Sequence, residues 1–301
     1  MAYNSNPAKT RLHLYLFIVT LIYAGTFTLA KWVMPVYIGP FGFILLRVAT
    51  AAILLTATQS WFTKEKIPWR KEWKPLAICA IFGVAANMLM FFKGLSITHE
   101  INAAVMMLFA PIFVFVFSFI LKTEKLYWWN VLGVATASVG ALLFLGGAQF
   151  HFDKSTFIGD IFIILNAISY AFYLVFVRRL LKKYHPISVT RICFIMGLII
   201  VFPFGIQQVW NSQLFLMNGA QWFALLFVLI MATYVTYALN AVAVKKGGAG
   251  IVGSYIYLQP VLAALIAKYL GSDEITFIKA IYAAIIFFGV YLVSIKKYAT
   301  T

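Results

Sequence analysis

Apolar residues run along this chain in long blocks, without the strict alternation of a half-buried strand or the single stripe of a surface helix. Ten blocks stand out: Leu12–Met34, Phe41–Phe62, Leu76–Leu95, Ile101–Leu121, Trp128–Ala148, Phe157–Val177, Ile187–Val209, Trp222–Val244, Gly250–Leu270 and Phe277–Ile295. A helix needs about 20 residues to cross a hydrocarbon core of roughly 30 Å, so each block predicts a transmembrane helix. Barrel strands alternate lipid-facing and lumen-facing residues, and runs such as Pro111–Leu121 do not. The first block follows Lys9 and Arg11 as a signal peptide would, but it is too long and has no small-residue cleavage site, so it is expected to be retained.

The blocks repeat. Ala103–Gly140 lies over Val252–Gly289 without a gap, bringing Pro111 onto Pro260 and an acidic turn onto an acidic turn. With small drifts in spacing, Tyr23-Ala24 falls on Tyr170-Ala171, Lys31 on Arg178 and Pro40 on Pro186. A unit this long is no solenoid repeat of about 20–50 residues. It predicts two related five-helix halves, residues 8–148 and 149–297.

Composition and charge add the solvent and the orientation. The chain of 301 residues is 63% hydrophobic and 11% charged, against about half apolar for a soluble domain. Its net charge of +16 invites a nucleic-acid reading, yet the placement of the cations explains it better. Lys9, Arg11, Lys64, Lys66, Arg70, Lys71, Lys74, Lys122, Lys125, Arg178, Arg179, Lys182, Lys183, Lys245, Lys246, Lys296 and Lys297 fall on one side of the predicted spans. The other side keeps little beyond Lys93, Lys154 and Lys279, with Asp153, Asp273 and Glu274. The positive-inside bias then puts both termini in the cytoplasm. Five spans per half is odd, so the second half is inverted relative to the first, the arrangement that gives two access states around one central site.

The order of elements, the Y-A-G-T-F-x-x-x-K run at Tyr23–Lys31, its partner Y-A-F-Y at Tyr170–Tyr173, Arg47 in the second span and the prolines at 111 and 260 resemble the EamA-type branch of the drug/metabolite transporter superfamily. The chain departs from that pattern at Tyr23-Ala24, where Trp-Gly is usual, and at Tyr170, where Trp is common. The resemblance covers nearly the whole chain. It implies an all-α integral membrane carrier of ten transmembrane helices in two inverted five-helix repeats. Spans one to four and six to nine would surround a cavity, braced from outside by the fifth and tenth. It also implies export across a plasma membrane of the bacterial inner-membrane type.

Polar groups deep in a span are costly in lipid and are expected to face the interior. Asn87, Asn166, Asn240 and Gln259 either line a binding cavity or join helices by hydrogen bonds. Tyr23, Tyr170, Tyr237 and Tyr257 either stack on a ligand or fill the core. Arg47 lies seven residues past Pro40, roughly 10 Å into the membrane at about 1.5 Å per residue. There it grips a carboxylate or phosphate, or it snorkels to the surface. Lys31, close to Pro35, is expected to snorkel, Lys93 to meet Glu100 at the rim, and Arg178 and Arg191 to anchor the cytoplasmic face. Pro111 and Pro260 each remove a backbone donor and bend a span, as hinges or as static kinks. Gly133, Ala137 and Ala141, with Ala280 and Ala284, form small-residue ladders for close helix approach.

Other signals exclude chemistry. Small multidrug members of the superfamily exchange protons through a buried glutamate in the first span, and Leu12–Met34 contains no acid. Asp160, near the outer end of the sixth span, is expected to stay hydrated. Gly248, Gly250 and Gly253 spell G-x-G-x-x-G with no strand before them, so they mark close packing and no dinucleotide site. His13, His99, His151 and His185 show no metal-ligand spacing, and Cys79 and Cys193 read as small hydrophobes. The expectation is a secondary transporter of a small metabolite, an amino acid or related amphipathic compound, with no cofactor, no metal, no nucleic-acid partner and an open oligomeric state that includes the monomer. An integral-membrane enzyme acting on a lipid-linked substrate is the alternative; it would need a His, Asp or Glu cluster that the sequence does not offer.

Overall fold

The computed structural model describes residues 7–125, 127–146, 154–269 and 276–294. His151, Asp153, Asp273, Glu274, Lys296 and Lys297 lie outside the described residues, as do the last residues of the fifth, ninth and tenth predicted blocks. Nine helical spans among the described residues are long and apolar enough to cross a membrane. In chain order they are Thr10–Val33, Pro40–Phe62, Trp69–Leu95, Glu100–Ile120, Phe157–Lys183, Pro186–Trp210, Gly219–Gly247, Ala249–Ile266 and Phe277–Ser294. A shorter apolar helix, Trp128–Phe144, lies between the fourth and the fifth of these. With it, ten apolar helices follow one another among the described residues, and they are numbered below in chain order as the first to tenth spans. The fold is an all-α multi-spanning membrane bundle.

Packing follows the duplication. The second span lies along the seventh and the fifth along the tenth. The third packs on the sixth as the eighth packs on the first, and the fourth meets the ninth. Exchanging the halves returns the same pairs. Fifth and tenth spans approach closely through Gly133, Ala137 and Gly140 on one side and Gly289 on the other. The expected partners Ala280 and Ala284 are exposed instead. The seam lies nearer the end of the tenth helix, where Ile286, Gly289 and Val293 are buried.

Four spans are not continuous α-helices. The fourth breaks between Glu100–Met107 and Ala110–Ile120, and Pro111 stands at the start of the second piece, where its missing N–H costs least. The ninth breaks through the 3₁₀ turn Tyr255–Leu258 into Gln259–Tyr269, whose second residue is Pro260. A proline cannot serve the carbonyl four residues back, so Met107 and Ile256 each lose that donor. The third span carries a π-helical turn at Ile81–Ala85 and the eighth another at Ile230–Val235. These begin 149 positions apart, the same offset that aligns the prolines.

The two ends of the bundle are tied across the halves. At the end expected to be cytoplasmic, Glu72 Oε1 accepts from Lys183 Nζ at 2.9 Å and from the Tyr184 hydroxyl at 3.1 Å. Glu65 accepts from the His185 amide at 2.6 Å. Glu124 Oε1 meets Arg178 Nη1 at 2.9 Å and the Ala249 amide at 2.8 Å. Arg178 thus has a defined ion-pair partner beyond a generic anchor role. At the other end Gln208 Oε1 accepts from the amides of Phe41 and Gly42.

Asp160 corrects an expectation there. It is 3% exposed, and its carboxylate accepts from the Thr98 hydroxyl and from Asn102 Nδ2, tying the sixth span to the fourth. Depth along the chain misjudged it, because the Thr98–Asn102 segment folds over it. Nearby, Lys31 Nζ reaches the Thr98 carbonyl at 3.1 Å, and Glu100 takes the Thr28 hydroxyl at 3.3 Å.

Candidate functional site

A cavity of about 90 Å³ sits among the first, second, third, fourth, sixth, eighth and ninth spans. Eight of the residues expected from sequence line it: Tyr23, Arg47, Asn87, Asn166, Tyr170, Tyr237, Asn240 and Gln259. Tyr257 is elsewhere. It is fully buried, with its hydroxyl 2.7 Å from that of Ser138 on the fifth span. Tyr255 takes the cavity position, and its hydroxyl lies 2.6 Å from His13 Nδ1. The 3₁₀ turn sets this choice by rotating the chain about 120° per residue.

Among the described residues, Arg47 is the one charged residue in the cavity wall. It is 3% exposed, and its side chain lies across the interface between the halves. Nε donates to Thr233 Oγ1 at 2.7 Å and Nη2 to the Ala232 carbonyl at 3.1 Å, both in the π turn of the eighth span. The guanidinium carbon stands 4.4 Å from the centre of the Phe92 ring, a cation–π distance. All of its protein acceptors are neutral. Among the described residues the ion pairs are Arg178–Glu124 and Lys183–Glu72, so the Arg47 charge is buried without a carboxylate. Snorkelling to the surface is excluded by these contacts.

The amides divide between joining helices and facing the cavity. Asn166, 2% exposed, donates from Nδ2 to the Asn87 carbonyl at 2.7 Å, while its Oδ1 has no hydrogen-bond partner. Asn87 Oδ1 accepts from the Tyr237 hydroxyl at 3.2 Å. Asn240 Nδ2 donates to the Tyr170 hydroxyl at 3.3 Å. Gln259 and Ile256 also line a second cleft of about 380 Å³, which carries Glu100 and Lys279. Those two residues therefore separate the central cavity from a recess toward the end where Glu100 lies.

The π turns are what the sequence reading missed. In the third span the Ala86 amide is drawn to Ile81 O, and Phe82 O, which an α-helix would give to Ala86, takes the Ser169 hydroxyl at 2.8 Å. In the eighth span the Thr236 amide is drawn to Met231 O, and Ala232 O takes Arg47. Each freed carbonyl meets a donor from the opposite half. Gly83 O in the first turn also accepts from Tyr237. The two turns share no Pro or Gly signature, since Gly83 in the first has no counterpart in the second, and the matching offset of the two repeats is the signal that pairs them.

Gly248, Gly250 and Gly253 behave as packing elements. Gly248 has a φ of 85° at the tight link between the eighth and ninth spans. A Cβ at Gly253 would meet Val114 at 3.2 Å, and one at Gly250 would meet Glu124 at 3.2 Å.

Comparison with known proteins identifies this architecture. The model of the EamA-like transporter family matches residues 10–146 and again residues 157–295. An uncharacterized transporter of Archaeoglobus fulgidus is 27% identical over 96% of this chain and 99% of its own length. The uncharacterized transporter YyaM of Bacillus subtilis is 28% identical over 96% of this chain and 97% of its own. The uncharacterized inner membrane transporter YedA of Escherichia coli is 24% identical over 65% of this chain and 62% of its own. A solved crystal structure superposes with a TM-score of 0.74 over 95% of this chain and 98% of that one, at 18% identity, a likeness of fold. With both halves of its length matched, this chain belongs to the EamA-like transporter family, multi-pass membrane proteins that move small molecules across the bilayer.

Proposed function

We propose that this transporter is a secondary carrier for a small amphipathic carboxylate, with amino acids foremost, working by alternating access and in the direction of export. The observation that carries this reading is Arg47, a buried guanidinium in the central cavity whose protein acceptors are all neutral. A buried charge without a counter-ion is costly, and an anionic solute would supply one. A single cation matches a single negative charge, which favours a carboxylate over a phosphate dianion and disfavours a cationic drug. The orphan Oδ1 of Asn166 can accept from an ammonium group, and Tyr23, Tyr170 and Tyr237 offer ring surface to an apolar side chain.

The symmetric contacts of the two halves support inverted repeats, 8–148 and 149–297, with both termini cytoplasmic in an inner membrane. The breaks at Pro111 and Pro260 adjoin Met107 and Ile256, both in the cavity wall, and we assign them as the hinges of the two states.

Counterflow in proteoliposomes tests the reading, with labelled phenylalanine, leucine and tyrosine beside the cation tetraphenylphosphonium, with and without a pH gradient. Saturable amino-acid flux that Arg47→Ala abolishes is the expected result, and the gradient arm reports the coupling. Flux of the cation alone, or amino-acid flux indifferent to Arg47→Ala, would refute it.

A further inference from the structure

We infer that Thr233 is the positioning residue that aims Arg47 at the solute, and that it sets the preference of the site for one planar carboxylate. The inference rests on the functional reading above and deepens it. A guanidinium has two edges that can take a carboxylate by a fork of N–H donors: the side edge of Nε and Nη2, and the end edge of Nη1 and Nη2. Here the side edge is taken. Nε donates to Thr233 Oγ1 at 2.7 Å and Nη2 to Ala232 O at 3.1 Å. Nη1 makes no hydrogen bond with the described residues, so the end edge remains for a solute.

The hydroxyl is itself fixed. Thr233 Oγ1 donates to Val228 O, five residues back, at 2.7 Å. Arginine cannot accept, so the proton of Thr233 points to Val228 and its lone pair to Nε. Thr233 is fully buried, which removes water as a competing donor. The π turn makes the second anchor available, because it draws the Thr236 amide to Met231 O and leaves Ala232 O to Nη2. Phe92 fixes the third direction by lying against the guanidinium. Two acceptors and one ring hold the cation in a single orientation before any solute arrives, which lowers the cost of binding a planar anion.

The test compares Thr233→Val, which keeps the shape and removes the hydroxyl, with Thr233→Ser, which keeps the hydroxyl. Counterflow of phenylalanine gives KM and kcat, and inhibition by phenylalanine amide gives Ki for the same molecule without the carboxylate. Unfolding midpoints in detergent check that each variant folds. Loss of a hydrogen bond to a charged group predicts about a tenfold or greater rise in KM for Thr233→Val, with little change in kcat or in Ki for the amide. Thr233→Ser should stay within about threefold of wild type in all three, a difference of less than 1 kcal/mol.

A wild-type KM in Thr233→Val would overturn the assignment, as would equal rises in KM and Ki, the mark of a merely structural role. Damage by Thr233→Ser equal to that of Thr233→Val would overturn it too. A wild-type carrier that takes the amide as readily as the acid would instead overturn the carboxylate reading itself, and that result is visible before any variant is made.

Discussion

Replacing Gly289 by alanine should loosen the seam between the fifth and tenth spans, and the structure sets the size of the effect. A Cβ at this position would lie 2.5 Å from the Ala137 amide nitrogen, 2.6 Å from the Gly133 carbonyl oxygen and 2.8 Å from the Ala137 Cβ. Carbon contacts settle near 3.5–4.0 Å, so the helices must part by about 1 Å. Two of the three atoms are backbone and the third is a Cβ, so no rotamer change can make room. Overpacking of this kind costs about 1–3 kcal/mol. Separation also stretches the bond from Asn130 Nδ2 to Val293 O, now 3.2 Å, worth about 1 kcal/mol. Against this stands the helix propensity of alanine over glycine, about 1 kcal/mol. The net loss is about 1–3 kcal/mol. Gly25→Ala is the control, since a Cβ there would meet nothing within 4 Å. Unfolding midpoints of the purified protein in one detergent would compare the two. Gly289→Ala should melt well below wild type and Gly25→Ala at or slightly above it. If the two melt together, the close approach of these helices is wrong. Since the cavity walls come from other spans, phenylalanine KM should stay at the wild-type value in whatever fraction of Gly289→Ala folds.

Four further outcomes follow from the ties across the halves. Glu124→Gln keeps an acceptor for the Ala249 amide but removes the charge opposite Arg178, a pair of which the side chains are 7% and 19% exposed; a loss of about 1–2 kcal/mol is expected in denaturant unfolding. Glu72→Gln faces Lys183, whose side chain is 61% exposed, and should lose less than about 1 kcal/mol; the reverse order would refute the ranking. His185 accepts the Ile187 amide at its Nδ1, and burial, then Lys245, hold its pKa below the usual value while Glu65 opposes them. The unfolded chain therefore takes up the proton first, and stability should fall as the pH drops below about 6.5, a slope that His185→Asn should flatten in melts between pH 8 and 5. Asp160→Asn should lower the melting point by weakening the ties to Thr98 and Asn102, yet leave the response of transport to a pH gradient unchanged; loss of that response would make Asp160 a proton carrier.

The spans were legible because lipid demands about 20 apolar residues whatever the tertiary contacts. Their ends were less so. The third block starts at Leu76 by hydropathy, but its helix starts at Trp69, and the sixth continues past Val177 to Lys183. Hydropathy reports where lipid ends, and a helix continues into water as long as its backbone bonds hold. The cavity residues were legible for a related reason: Arg47, Asn87, Asn166 and Asn240 have no stable place facing lipid, so the interior is where they go. Tyrosine carries no such penalty, and choosing Tyr255 over Tyr257 required knowing the 3₁₀ turn. Asp160 was misplaced because its cover, Thr98 and Asn102, comes from the preceding half.

The π turns show how one duplicated scaffold acquires an asymmetric site. Both halves divert an amide and free a carbonyl within one residue of matching places, Phe82 O and Ala232 O, beside the interface. The backbone device is therefore shared, and what differs is the donor that each carbonyl meets. In the first half it is the hydroxyl of Ser169, a neutral joint. In the second it is Arg47, a charge. The duplication does not extend to that charge: counting from Pro40 and Pro186, the position that matches Arg47 is Cys193, whose thiol points to Leu76 O at 4.0 Å. Symmetric breaks leave polar backbone at the centre of an apolar bundle, where a side chain from the other half must satisfy it. The two halves draw that side chain from non-equivalent spans, the sixth for Ser169 and the second for Arg47, and only the second supplies a cation. The symmetry accounts for where the cavity lies, and its local failure at Arg47 for what the cavity can hold.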